Sequence, residues 1–284
     1  MKSNWSDTQA KKLMSKYINL GYSKDLALRV YTTRLLGSNK RLVLHGGGNT
    51  SVKTTIKDVD AKIYRVLCVK GSGWDMGDIE PEGLPAVKLD PLLSLKNKKN
   101  LSDEQMVNFQ KRNLINNASP NPSVETFLHA FLPHKYVDHT HADAILDITN
   151  RPNSMHICKQ IFGPEVGYVS YIMPGFLLAK KVFETYKKNP NLNCLILLNH
   201  GIFTFSDNAK EAYDLMIKNV SLAESAIKKM KTKKIRQIKS QKFILKPSDI
   251  APVIRGLLKE PDVDNTFIVN FRTNKDIQYF MNGI

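Results

Sequence analysis

Two histidines stand one residue apart in the stretch VDHTHADA, at His139 and His141. The surrounding residues are typical of a strand, and side chains two apart on a strand point to the same face. Two imidazoles placed in this way can bind one divalent metal ion, which requires a third protein ligand. His200 is the candidate, because it ends the apolar stretch CLILLNH where we expect Gly201 to let the backbone turn. The alternative is two partly buried histidines with ordinary hydrogen bonds.

An acidic residue, Glu125, lies shortly before the histidine pair. Asn121 and Pro122 predict a helix over residues 122–132, with asparagine as the N-cap and proline at the first helical position. Glu125 would then lie in the first turn, where an acid interacts favourably with the helix macrodipole. The functional alternative is a general base close to a metal-bound substrate. His129, one turn further on, is interpreted as a packing or supporting residue rather than a ligand.

Two glycine-rich segments are candidate anion-binding loops. They are GGGNTSVK at 46–53 and KGSGWDMG at 70–77, and each follows a predicted strand. Backbone amides in such loops can surround a phosphate, and Asn49, Ser51 and Ser72 add side-chain donors. Neither segment has the spacing of a P-loop or of a dinucleotide-binding fingerprint. Plain tight turns are the alternative for both segments.

The elements that must position these residues form a mixed α/β pattern. Helices are predicted within 7–36 and 102–115 and around 154–162, 175–188 and 207–232. Strands are predicted at 41–45, 51–56, 63–70, 136–142, 166–172 and 194–205. The first three strands are joined too closely for helical crossovers, which favours antiparallel pairing. We expect one domain over residues 1–232 and a C-terminal extension over 233–284, with strands at 242–245 and 266–271 and a helix near 248–258.

The composition of the 284 residues is that of a globular protein, with 42% hydrophobic residues and a formal net charge of +16. No apolar run approaches the ~20 residues needed to span a bilayer. Three cysteines far apart favour reduced thiols, so we expect a cytoplasmic protein without membrane attachment. Lysines recur in blocks at 94–100, 179–188 and 227–242. Aromatic residues are not interleaved with them, so a solvated surface is favoured over nucleic-acid binding, whose affinity would fall steeply with salt.

The segments HGGGNTSVK, VKGSGWDM, PSVETFLHAFLPHKYVDHTHADA and LLNHGIFTF occur in this order between about residues 10 and 230. In these motifs the chain resembles the class II aldolase/adducin family, above all the aldolase half of bifunctional rhamnulose-phosphate aldolase/alcohol dehydrogenase proteins. The resemblance implies a three-layer α/β/α fold with a central, mainly antiparallel sheet, usually assembled as a homotetramer.

The resemblance also implies a role for each candidate residue. His139, His141 and His200 would bind Zn²⁺ or another divalent metal, and Glu125 would be the catalytic acid–base residue. The phosphate contacts would be Gly48, Asn49, Ser72, Gly73 and Ser123. This chain departs from the family pattern at Val124, where the family has a second phosphate-binding serine.

The implied activity is cleavage of a ketose 1-phosphate, of the rhamnulose- or fuculose-phosphate type, to dihydroxyacetone phosphate and an aldehyde. No dinucleotide fingerprint is present, so we expect no binding of NAD, which calorimetry would test. The proton donor for the alkoxide is left open between Tyr168, Tyr171, Tyr279 and a residue of a neighbouring subunit. The alternatives are an epimerase or decarboxylase of the same family, or a non-catalytic adducin-like binding protein.

Overall fold

Seven strands form one mixed sheet in the computed structural model, which describes residues 1–58, 61–230, 245–259 and 267–282. The strands are β1 (Asn49–Lys57), β2 (Ile63–Val69), β3 (Ala86–Lys88), β4 (Tyr136–Thr140), β5 (Val166–Val169), β6 (Cys194–Leu197) and β7 (Gly201–Ser206). Their order across the sheet is β3-β2-β1-β4-β7-β6-β5. All neighbouring strands are antiparallel except β5 and β6, which are parallel. The predicted mainly antiparallel sheet is confirmed.

Helices cover both faces of this sheet. One face packs against α3 (Leu89–Ser94), α4 (Asp103–Arg112), α5 (Thr126–Phe131) and α8 (Phe176–Lys188). The other face packs against α1 (Asp7–Asn19), α2 (Lys24–Gly37), α6 (Asp143–Thr149), α7 (Ser154–Ile161) and α9 (Ala209–Lys229). Short 3-10 helices at Pro81–Gly83 and Leu95–Asn97 complete this part of the chain. The predicted three-layer arrangement is therefore confirmed.

The chain divides into two compact units, Met1–Met230 and Lys231–Ile284. The described part of the second unit contains α10 (Pro247–Leu257), which was predicted, and α11 (Lys275–Met281), which was not. Residues 267–271 contain no strand, so the prediction of a strand there was wrong for the residues that are described. Most of the strand predicted at 242–245 lies outside the described residues. Within those residues, no helix is long and apolar enough to cross a membrane.

The strand predicted at 41–45 is also absent. The backbone amides of Leu42 and Val43 both donate to the carbonyl oxygen of Asn39, at 2.8 and 3.3 Å, which closes a turn. Both side chains are nevertheless buried. The apolar run therefore reflects packing of a turn into the core, and the first glycine segment follows this turn rather than a strand.

Helix α5 begins four residues later than predicted. Residues 121–123 pair instead with the loop after β2, because Ser72 donates its amide to Asn121 and Ser123 donates its amide to Lys70. The first helical amide, of Thr126, donates to Ser123. Glu125 consequently occupies the position before the helix, and the predicted first turn over residues 122–125 was wrong.

Candidate metal centre

His139 lies on β4 in the middle of the sheet, opposite Asn49 of β1 and Phe203 of β7. Its ring stacks on the ring of Phe203, with a centroid distance of 4.0 Å and an interplanar angle of 10°. Its Nδ1 lies 3.1 Å from the carbonyl oxygen of Ile202, which can only accept a hydrogen bond. The ring proton is therefore on Nδ1, and Nε2 has a free lone pair for a ligand.

The other two predicted ligands converge on this Nε2. His141 follows β4 directly, and its Nε2 lies 3.0 Å from Nε2 of His139. The ring centroid of His200 lies 5.1 Å from that of His139 and 5.4 Å from that of His141. Ligand nitrogens of all three histidines lie within 4.8 Å of one another. The alternative, two histidines with ordinary hydrogen bonds, does not explain why the ring of His200 lies at the same place.

His200 reaches the site through the turn between β6 and β7. The residue with positive φ in this turn is Asn199, at 59°, and not Gly201, so the predicted reason for the glycine was wrong. Gly201 starts β7, where a Cβ would lie 2.5 Å from the carbonyl oxygen of Thr140 and 3.0 Å from Cε1 of His139. Glycine is required there because β7 passes close to the histidine strand.

Glu125 supplies a carboxylate beside the three rings. Its Oε2 lies 3.4 Å from Nε2 of His139, and its Oε1 lies 3.4 Å from Nε2 of His200. The side chain of Asn49 donates to Oε2 at 2.7 Å, whereas the buried Oε1 has no hydrogen-bond partner. The residue is only 6% exposed. The two oxygens thus differ, because one is held by an amide and the other is free to react.

Burial controls the protonation of the site. It lowers the pKa of His139 well below its usual value and lowers that of His141. Burial and the neighbouring His141 lower the pKa of His200 to about 4. Burial raises the pKa of Glu125 to about 7, against the opposing effect of the Asn49 hydrogen bond. The imidazoles are therefore neutral near neutral pH, which is the form that binds metal.

These residues fit a divalent cation. Three neutral imidazoles are a ligand set that zinc and several other late first-row metals accept. The unpartnered Oε1 of Glu125, buried beside His200, would be compensated by a positive charge in the cluster. The structure thus brings together His139, His141, His200 and Glu125 as predicted.

Three of the predicted phosphate contacts, Gly48, Asn49 and Ser123, lie next to residues of this cluster. Gly48 has a φ of 63°, and a Cβ there would lie 2.7 Å from the carbonyl oxygen of His139. The Ser123 hydroxyl accepts from the Asn49 amide at 3.0 Å. Gly73 has a φ of 84° and open space around it, and Ser72 is exposed. Ser51, a predicted side-chain donor, instead points into the core and contacts His129.

Sequence reasoning missed Lys70, which is 4% exposed and donates from Nζ to the carbonyl oxygen of Gly46 at 2.9 Å. Burial lowers the pKa of this amine. The available signal was a lysine that ends an apolar strand directly before a glycine-rich loop.

Sequence reasoning also missed the buried ion pair between Arg29 Nη2 of α2 and Asp138 Oδ1, separated by 2.5 Å. This pair ties β4 to the helix layer opposite α5.

Residues 27–227 match the family model described as the class II aldolase and adducin N-terminal domain. The chain belongs to this family. It is 34% identical over 262 residues to the uncharacterized oxidoreductase YuxG of Bacillus subtilis (strain 168), an alignment that covers 90% of this chain and 38% of YuxG. The chain therefore spans well under half the length of that relative.

Solved structures agree with membership of the class II aldolase family. The N-terminal class II aldolase domain of a conserved protein from Thermoplasma acidophilum is 43% identical, with a TM-score of 0.71, over 80% of this chain and 99% of that domain. A sugar-phosphate aldolase from Thermotoga maritima is 16% identical, with a TM-score of 0.53, over 71% of this chain and 93% of that protein. The second similarity concerns the fold alone.

Proposed function

We propose that this chain is a metal-dependent aldolase that cleaves a ketose 1-phosphate of the rhamnulose- or fuculose-phosphate type into dihydroxyacetone phosphate and an aldehyde. The observation that supports this best is the position of Glu125, whose two oxygens each lie 3.4 Å from a nitrogen of a candidate metal ligand. A buried carboxylate beside a metal site can exchange a proton with a bound substrate.

In this proposal His139, His141 and His200 hold the divalent ion, zinc or another metal. When bound, the ion supplies Lewis-acid polarisation of the substrate carbonyl. Glu125 returns a proton from Oε1 to the carbon next to the carbonyl after the carbon–carbon bond breaks, and removes it in the synthetic direction. Its Oε2 remains with Asn49 and keeps the carboxylate oriented. No nicotinamide takes part.

The anionic end of the substrate is proposed to lie against Gly48, Ser72, Gly73 and Ser123, whereas the side-chain amide of the predicted contact Asn49 already donates to Glu125 and Ser123. Lys70 adds a buried amine beside the first glycine segment, and none of the described acidic side chains forms an ion pair with it. We expect this amine to attract the phosphate as a charge-assisted donor. This contact would offset the loss of the serine that Val124 replaces.

The Lys70 contact predicts a substrate-dependent effect. Lys70→Met should raise KM for a phosphorylated ketose about 10- to 150-fold, since a hydrogen bond to a charged group contributes roughly 1.5–3 kcal/mol. It should leave the KM for the unphosphorylated sugar unchanged. Lys111→Met, on the exposed end of α4, is the matched control. Equal effects of Lys70→Met on both substrates would contradict the assignment.

The proposed reaction is tested by metal analysis of the purified protein and by a panel of ketose 1-phosphates assayed for release of dihydroxyacetone phosphate. Glu125→Gln should abolish release while metal content is unchanged, and Glu104→Gln, an exposed change on α4, should affect neither. Formation of a stereoisomer without cleavage would indicate an epimerase instead. A protein with neither metal nor turnover would indicate an adducin-like binding protein.

Two further parts of the proposal concern the whole chain. Light scattering is expected to give about four times the chain mass of 32.2 kDa, as for a homotetramer. Residues 1–232 are proposed to form the aldolase domain, with residues 233–284 as a C-terminal extension.

A further inference from the structure

One face of β1 carries three polar side chains, Asn49, Ser51 and Lys53, spaced by two residues. This face is covered by α5. Asn49 contacts the side chains of Glu125 and His129, and Ser51 contacts the side chain of His129. Lys53 Nζ donates to the carbonyl oxygens of His129 and His134, at 2.8 and 2.7 Å. The strand therefore holds α5 and the residues next to it by polar contacts.

A continuous series of side-chain hydrogen bonds joins Glu125 to Ser51. The Asn49 amide nitrogen donates to Glu125 Oε2 at 2.7 Å. Asn49 Oδ1 lies 2.5 Å from Nε2 of His129, and Nδ1 of His129 lies 2.8 Å from Ser51 Oγ. None of the four residues is more than 6% exposed. Solvent is therefore excluded as a competing partner.

The chemistry of the groups determines where each proton lies. The amide nitrogen of Asn49 contacts both Glu125 and Ser123, so its carbonyl oxygen, which can only accept, faces His129. His129 must then donate from Nε2. Since burial lowers the pKa of His129 well below its usual value, the ring is neutral and Nδ1 accepts from the Ser51 hydroxyl.

The same contacts leave Asn49 no free donor. One amide hydrogen goes to Glu125, and the other goes to Ser123 Oγ at 3.0 Å. Oε1 of Glu125 has no hydrogen-bond partner, so Asn49 is the side chain that orients this carboxylate among the residues described. An asparagine in this state is better suited to hold the carboxylate than to bind a phosphate.

We infer that His129 and Ser51 are positioning residues that act through Asn49 to orient the Glu125 carboxylate, with Oε1 directed at His200. This inference rests on the proposed catalytic role of Glu125. The alternative is that Asn49 binds the anionic end of the substrate, and the same variants distinguish these two roles of Asn49.

Three variants test the series. Ser51→Ala removes the donor to Nδ1, so the His129 ring is held only through its contact with Asn49. His129→Phe removes the donor to Asn49 and keeps an aromatic ring next to Phe203. His129→Gln restores an amide donor near the position of Nε2. Thr50→Val is the matched control, because it removes a buried hydroxyl from the same strand that instead bonds Thr33 on the other face.

The kinetic expectation is a change in kcat. His129→Phe should lower kcat about 10–100-fold, the size of effect that a small misplacement of a catalytic group produces. Its KM should stay within about threefold of the wild-type value, and metal content should be unchanged. Ser51→Ala should have a smaller effect of the same kind, His129→Gln should recover much of the loss, and Thr50→Val should resemble wild type. A raised KM with unchanged kcat would contradict the inference and favour the anion-binding alternative.

Two measurements do not depend on substrate. Solid-state ¹⁵N NMR of histidine-labelled protein should show His129 protonated at Nε2, assigned by its loss in His129→Phe. In Ser51→Ala the Nδ1 signal should shift because this nitrogen loses its hydrogen bond. Crystal structures of Ser51→Ala and His129→Phe should show the Glu125 carboxylate displaced or rotated. Protonation at Nδ1 in the wild type, or an unmoved carboxylate in both variants, would overturn the inference. A wild type without turnover would instead refute the proposed function alone.

Discussion

Gly201 shows how a single missing Cβ shapes the candidate metal centre. A methyl group at this position would lie 2.5 Å from the carbonyl oxygen of Thr140 and 3.0 Å from Cε1 of His139. Neither neighbour can move away easily, because Thr140 pairs with Ile202 in the sheet and the ring of His139 stacks on Phe203. The close approach of β7 to β4 therefore depends on glycine.

We expect Gly201→Ala to separate β7 from β4 and to displace the His139 ring. The variant should lose about 1–3 kcal/mol of unfolding free energy, as overpacked cores do, and should bind metal more weakly. Urea denaturation and metal titration would measure the two effects. Gly163→Ala, where a Cβ would meet nothing within 4 Å, is the control. Wild-type stability and metal affinity in Gly201→Ala would contradict this explanation.

The histidines of the site could be predicted because their signal is local. His139 and His141 are two residues apart, and strand periodicity places them on one face. The conformation around Gly201 could not be predicted in the same way, since its cause is a contact with Thr140, sixty-one positions earlier in the chain. The connection between Asn49 and His129 was missed for the same reason. Their separation along the chain is large, and only the contact of α5 with β1 brings them together.

Lys53 links two elements, because its amine on β1 donates to carbonyl oxygens at the end of α5 and beyond it. Burial lowers the pKa of this amine to about 7. The ordinary pKa of lysine, 10.5, applies to the unfolded chain. Between these two values the unfolded chain binds more protons than the folded chain. The contribution of Lys53 to the unfolding free energy therefore rises with pH across this window and is smallest below pH 7.

Comparison with Lys53→Met should reveal this pH dependence. The difference in unfolding free energy between wild type and variant should shift in favour of wild type from about pH 7 towards pH 10, by at most about 1.4 kcal/mol per pH unit. Chemical denaturation at a series of pH values would measure it. Lys57→Met, at the exposed end of the same strand, controls for the loss of a lysine from β1. A difference that is constant with pH would contradict the expectation.

Elements with their own periodicity or end signals were predicted well, and those set by distant partners were not. The capping box of α4 at Ser102 and Gln105 is local and marks the start of this predicted helix. At Pro122 a local helix signal was present, but pairing of the same segment with Gly71 prevailed. Helix α6, which has only seven residues and follows the histidine strand closely, was not predicted.

At the scale of the whole molecule, the first unit contains the complete candidate site and all three clusters of buried apolar residues. We expect a chain ending after Met230 to fold cooperatively and to bind as much metal as the full-length protein. Circular dichroism during thermal unfolding and metal analysis would check this. Aggregation or loss of metal on truncation would show that the second unit supports the first.

Fold class was predictable because four motifs spread over most of the chain resemble one family, and the family model covers residues 27–227. The second unit lacked such support. Its strand-like stretch at 266–271 was assigned from β-branched and aromatic residues alone. The described residues 267–271 form no strand, and Ile268 among them is 93% exposed, so the composition alone did not produce a strand.

The outermost strands of the sheet are short, with three residues in β3 and four in β5. Val87 of β3 also forms an isolated bridge with Leu114 on its outer side. Short edge strands of this kind offer few unpaired backbone amides and carbonyls with which a strand of another chain could pair. Growth of the sheet from one molecule into the next is thereby discouraged, so copies that associate must meet through helices and loops.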